Sequence, residues 1–138
     1  MVAQDPARIY RANSVLTASP GQLVLMLYDG ALGALGSARE AFDLPPSDLR
    51  RYEIINRHLL KARKIIIELR RTLNFDAGGE IAPLLHRLYD YYNRRLLEAN
   101  VRKDAEPVAE VERLLGELRN AWAEMLRQQG AAEPALAR

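Results

Sequence analysis

Residues able to act as acids, bases, nucleophiles or metal ligands are few in this chain and poorly spaced for joint work. There is no cysteine, so thiolate nucleophiles, thiolate metal sites and disulfides are all excluded. The two histidines, His58 and His86, stand alone. Neither belongs to an H-E-x-x-H or an E-x-x-H pair, so a zinc site and a di-iron bundle both lack a ligand set. Both are expected at helix surfaces or boundaries rather than as catalytic bases. Asp76 and Glu80 flank Gly78-Gly79, but the spacing matches neither a calcium loop nor a phosphate loop. That segment reads as a turn between helices, with Asp76 as a cap. No set of residues has the types and spacings a reaction needs, so no enzymatic activity, cofactor or metal is expected.

Binding chemistry remains, in three places. From Ser47 to Asn74 eight basic residues (Arg50, Arg51, Arg57, Lys61, Arg63, Lys64, Arg70 and Arg71) face three acidic ones, Asp48, Glu53 and Glu68. Such a stripe could bind nucleic acid, but no recognition motif accompanies it. The segment Asp104 to Gln129 has six acidic residues against three basic ones, so charge complementarity within the fold is the preferred reading and no nucleic-acid partner is expected. The second place is Leu88-Tyr89-Asp90-Tyr91-Tyr92. On a helical wheel Tyr92 joins an apolar stripe while Tyr89 and Tyr91 flank it, where tyrosines cover a core edge or line a groove. The third is Thr17 to Ala38, which carries a single charge, Asp29, in its whole length. A surface helix ordinarily has one apolar stripe and one charged face. This one is apolar or small all round, with Met26 nearly outward beside Gly30, Gly33 and Ser37. The rest of the chain looks too small to cover it on every side, which points to a binding function.

Four helices must position these residues. The first is predicted over Pro20 to Phe42: Ser19 and Gln22 form a capping box, Pro20 suits the first turn, and Pro45-Pro46 stops it. Its stripe is Val24, Tyr28, Ala31, Leu35, Ala38 and Phe42. The second is expected from an N-cap at Ser47 to about Leu73, with the stripe Tyr52, Ile55, Leu59, Ala62, Ile66, Leu69 and Leu73. The third runs from near Glu80 to near Asn100, with Ile81, Leu85, Leu88, Tyr92, Leu96 and Ala99 inward. The fourth follows an N-cap at Asp104, with Val108, Val111, Leu115, Leu118, Trp122 and Met125 inward. No strand pattern occurs. Stripes stepping by four and three with short connections predict an all-α, antiparallel, up-down-up-down four-helix bundle. At 138 residues, 49% of them hydrophobic and 28% charged, with a net charge of +2, the chain is one ordinary globular domain.

The organisation is then an N-terminal arm over 1–18, a bundle over 19–129 and a tail over 130–138 expected to be frayed. Arm residues Ile9, Tyr10, Val15 and Leu16 are apolar enough to dock on the bundle. They either cover the first helix permanently or act as a lid that a partner helix replaces; the residues alone leave both open. Met1 to Leu16 lacks the apolar core of a secretory signal, and Leu23 to Leu35 is too short and too interrupted to span a bilayer. A cytoplasmic protein without stable membrane insertion is expected.

In order along the chain stand Tyr10, Val15, Thr17-Ala18-Ser19-Pro20, and then L-x-x-M-L-Y-D-G-A from Leu23 to Ala31. Lys61-Ala62, Ile65-Ile66, Glu68-Leu69, Leu73, Gly78-Gly79-Glu80-Ile81-Ala82, Leu88-Tyr89-Asp90-Tyr91, Arg95-Leu96, Ala99-Asn100, Leu118-Arg119 and Ala121-Trp122 follow. Together they resemble the signature of the FliS family of flagellar export chaperones, across all four helices. The resemblance implies a cytosolic chaperone that holds the C-terminal segment of flagellin, partly as helices in apolar grooves. It would thereby prevent premature polymerisation and help present flagellin to FlhA, the export-gate protein. Carried onto this chain, it implies partner-binding roles for Tyr10, Leu23, Leu27, Tyr28 and Asp29, beside the outward Met26, and for Leu88, Tyr89 and Tyr92. The chain departs from the pattern at Gly33 and Gly36, where larger side chains are expected; each glycine costs roughly 1 kcal/mol relative to alanine in a helix interior.

Overall fold

In the computed structural model residues 19–74 and 79–137 are described, with side chains up to Gly130. The arm, the turn residues 75–78 and Arg138 lie outside them. Expectations for Ile9, Tyr10, Val15 and Leu16, and for Asp76 as a cap, therefore fall outside the described residues. The tail from Gly130, expected to be frayed, has its backbone in helix to Ala137.

The described residues form four helices: α1 (Pro20–Phe42), α2 (Arg51–Arg71), α3 (Ile81–Arg102) and α4 (Glu106–Ala137). No strand occurs among them. The start of α1 follows from local chemistry. Ser19 is extended, its hydroxyl accepts from the Gln22 N–H at 3.2 Å, and Gln22 Oε1 accepts from the Ser19 N–H at 3.3 Å. The box satisfies two backbone donors that a helix start leaves unpaired.

The second helix starts three residues later than a Ser47 cap would place it. After Pro45-Pro46 the chain makes a turn first: the Asp48 N–H donates to the Pro45 carbonyl, and the Asp48 carboxylate accepts from the Arg50 N–H at 2.9 Å. Tyr52 then falls in the first turn and is 60% exposed, not part of the core. The Arg51 guanidinium lies over both the Phe42 and Tyr52 rings, and the Lys103 ammonium lies over Tyr52. At the other end of the bundle Ile81 opens α3 and is 61% exposed, again outside the core where the stripe placed it. The third helix runs two residues past Asn100 and closes on Lys103 in the left-handed region, whose N–H donates to the Ala99 carbonyl. Asp104 stands just outside α4 and its carboxylate accepts from the Glu106 N–H at 3.0 Å.

The four helices form a ring in which α1 packs on α2 and α4, and α3 packs on the same two. Contacts run in opposite order along neighbours. As α1 advances through Gly21, Asp29 and Arg39, it meets Trp122, Arg119 and Glu112 of α4. As α2 advances from Asn56 to Arg70, it meets Asn100 and then Asp90 of α3. The centre is filled by Leu35, Ile55, Leu59, Ile66, Leu69, Leu96, Val108, Val111 and Leu115, with alanines 31, 34, 38 and 41 keeping the inner face of α1 thin. Each fully buried aliphatic side chain contributes about 1.5–3 kcal/mol. Gly30 is not on an outward face: a Cβ there would sit 3.4 Å from Ile65 Cδ1, so the small residue lets α2 approach α1. No helix among the described residues is long and apolar enough to cross a membrane.

Candidate functional site: an apolar pocket at one end of the bundle

The first half of α1, the end of α2, the start of α3 and the later part of α4 converge at one end of the ring. Their stripes continue there beyond the filled core and enclose a pocket of about 270 Å³. Val24, Leu73, Ile81, Leu85 and Trp122 supply its apolar lining, and Tyr28 and Tyr89 also face it. The few polar groups at the pocket are largely occupied. The Trp122 indole N–H donates to the Gly21 carbonyl at 2.8 Å, and the Thr72 hydroxyl donates to the Leu69 carbonyl at 2.6 Å. What the pocket offers a ligand is therefore chiefly hydrocarbon and ring surface. Ile81 and Leu84 stand exposed on the adjoining turn of α3 and extend that surface outward.

Tyr28 and Tyr89 carry the pocket's only buried polar pair among the described residues. Their hydroxyls are 2.5 Å apart, and both residues are 2% exposed. Burial raises both phenols above the ordinary value of 10.0; the shared hydrogen bond opposes the rise in Tyr28 and adds to it in Tyr89. Burial also raises Tyr92, to about 12. These groups are neutral near neutral pH, so none serves as a base or nucleophile there. No group of His, Asp and Glu among the described residues could hold a metal ion. The arrangement can bind apolar side chains.

The sequence-derived candidates scatter over this framework. Tyr10 lies outside the described residues. Tyr28 and Tyr89 meet at the pocket, although Tyr89 was expected to flank the stripe; its place in the core depends on a hydroxyl partner 61 residues away. Tyr92 is buried in the core, its ring 6.4 Å from Tyr89, and does not line the pocket. Leu27 and Leu88 are half-buried and pack against the core, while Leu23 and Met26 are half-buried on α1. Asp29 is on the surface, where its carboxylate accepts from Arg119 Nε at 2.8 Å and ties α1 to α4. Of the eight candidates that are described, Tyr28 and Tyr89 meet at the pocket and the other six are not part of its lining. Val24, Leu73, Ile81, Leu85 and Trp122 were read only as core. Their signal was positional: all stand near the ends of stripes that an antiparallel bundle brings to one place.

Over residues 3–129 the chain matches the family model described as Flagellar protein FliS. It is similar to the flagellar secretion chaperone FliS of Bacillus subtilis (strain 168), 39% identical over 129 residues that cover 94% of this chain and 92% of that one. Similarity to the flagellar secretion chaperone FliS of Salmonella typhimurium is 42% identity over 119 residues, covering 84% and 83%. With the protein of the same description from Escherichia coli (strain K12) it is 38% over 124 residues, covering 89% and 88%.

Proposed function

Because this chain belongs to the FliS family of flagellar secretion chaperones, we propose that its apolar pocket receives the disordered C-terminal segment of flagellin. The observation that carries this reading is the pocket itself, an apolar cavity at one end of the bundle. Client side chains seat against Val24, Leu73, Leu85 and Trp122, and the client orders as a helix while bound. Contact continues along the half-buried Leu23, Met26 and Leu27 of α1, with Asp29 at the margin. Covering these client segments prevents premature polymerisation in the cytosol, and the loaded complex is delivered to FlhA.

The chain enters α1 at Ser19, at the pocket end. On this reading the arm over 1–18, with Tyr10, competes with the client for the same surface. Ordering a disordered client offsets part of the gross contact energy, so affinity stays moderate and release remains possible.

The test is calorimetric titration of the C-terminal segment of the same organism's flagellin, with peptide helicity followed by circular dichroism. Saturable one-to-one binding with a gain in helix and a negative heat-capacity change is expected. Ile81→Asp, at an exposed position on the rim, should weaken binding by roughly tenfold or more while leaving thermal unfolding nearly unchanged. Absence of heat and of helix gain at micromolar concentration would sink the proposal.

A further inference from the structure

A larger groove, about 550 Å³, runs along the seam between α2 and α3. Its character is the reverse of the end pocket's. Arg63 and Arg70 of α2 and Arg87 and Arg94 of α3 line it, against a single carboxylate, Asp90. That carboxylate is already engaged by Arg70 and lies 3.4 Å from His86 Nδ1. Arg63, Arg87 and Arg94 have no ion-pair partner among the described residues. Two buried polar atoms of the groove's residues, Arg63 Nε and Asn93 Oδ1, have no hydrogen-bond partner among the described residues. Ile67, and Leu97 at 44% exposure, give the wall apolar patches.

The spacing of the cations is regular. On each helix the two arginines are seven residues apart, which is about 10.5 Å of rise. Because α2 and α3 run in opposite directions, Arg63 lies towards Arg94 and Arg70 towards Arg87. Positive charge thus sits at both ends of the groove, with Ile67 between. Guanidinium groups pair with carboxylates in a two-bonded fork. None of the described residues that line the groove is aromatic, so they offer a single-stranded nucleic acid no stacking platform.

We infer that the α2–α3 groove docks an acidic amphipathic helix of a partner protein. That helix carries carboxylates seven residues apart and an apolar side chain three or four residues from each. The site is separate from the end pocket, and the inference does not depend on flagellin binding there.

The test uses the full chain and a labelled synthetic helix of roughly 18 residues, long enough to hold helical structure. It carries Glu at the two spaced positions and Leu between them; a control peptide carries Gln for Glu. Binding is followed by fluorescence anisotropy at low salt. Saturable binding is expected with the Glu peptide and loss of roughly tenfold or more with the Gln peptide. The exposed double variant Arg87→Glu, Arg94→Glu should lose a similar factor while keeping its helical circular dichroism and melting temperature, and Arg87→Gln, Arg94→Gln should fall between. Equal binding of both peptides, equal binding by the variants, or no saturation with the unmodified chain overturns the inference. Tighter binding of a single-stranded oligonucleotide that displaces the Glu peptide does the same, as does dimerisation of the chain through these arginines.

Discussion

Tyr28 and Tyr89 allow the structure to be tested by a double-mutant cycle. Each hydroxyl is buried and has the other as its partner at 2.5 Å. Tyr89→Phe removes one oxygen and leaves the Tyr28 hydroxyl in hydrocarbon without a partner. The loss is that of a hydrogen bond together with the desolvation of the orphan, about 1–3 kcal/mol, and Tyr28→Phe should cost about the same. The double variant Tyr28→Phe, Tyr89→Phe leaves no orphan and keeps both rings, so it should cost less than either single change, about 1 kcal/mol or below. With single losses that sum to about 2–6 kcal/mol and a double loss of about 1 kcal/mol, the cycle should show a coupling of about 1–5 kcal/mol, outside additivity. Urea unfolding followed by helical circular dichroism measures it, and thermal melts should show the single variants lowered by about 3–9 °C at roughly 3 °C per kcal/mol. A double variant that loses the sum of the two single losses would refute the reasoning, because the hydroxyls would then be acting independently.

The same burial predicts alkaline instability. Tyr28, Tyr89 and Tyr92 hold their phenolic protons more tightly in the folded chain than at the ordinary 10.0 of the unfolded one. Stability should therefore be complete below pH 10 and fall as pH rises above it, by about 1.4 kcal/mol per pH unit for each such group up to its folded value, about 12 for Tyr92. Urea midpoints that stay flat above pH 10 would contradict this. A Cβ at Gly33 would meet nothing within 4 Å, so Gly33→Ala should raise unfolding free energy by about 0.5–1 kcal/mol, visible as a higher urea midpoint.

Local signals in the sequence were reliable where the cause was local. The Ser19–Gln22 box and Pro45-Pro46 bracket α1 at the observed residues, and the four-three steps identify most of the core. Ser47 misled because a cap residue only competes for the chain; the turn from Pro45 through Asp48 won, and with it Tyr52 moved into solvent. Tyr89 could not be placed from its own helix because its burial depends on Tyr28, and Gly30 could not be read without Ile65 of α2 beside it. The end pocket was hidden for a related reason. A stripe shows which side chains point inward, but Val24, Leu85 and Trp122 do not show in sequence that the described residues leave a pocket in front of them.

The Tyr28–Tyr89 bond joins α1 to α3, helices that sit across the ring from each other rather than side by side. A core of Leu, Ile, Val and Ala has little preference among registers, since one aliphatic layer replaces another when a helix slides along its neighbours. A slip of one turn, about 5.4 Å, would strand both hydroxyls in hydrocarbon. Among the described residues this bond is the polar brace across the ring, and together with the contacts between neighbouring helices, such as Trp122 to the Gly21 carbonyl and Arg119 to Asp29, it holds one vertical alignment of the bundle. The end pocket owes its shape to that alignment, because the helix ends that wall it meet at one level only in this register.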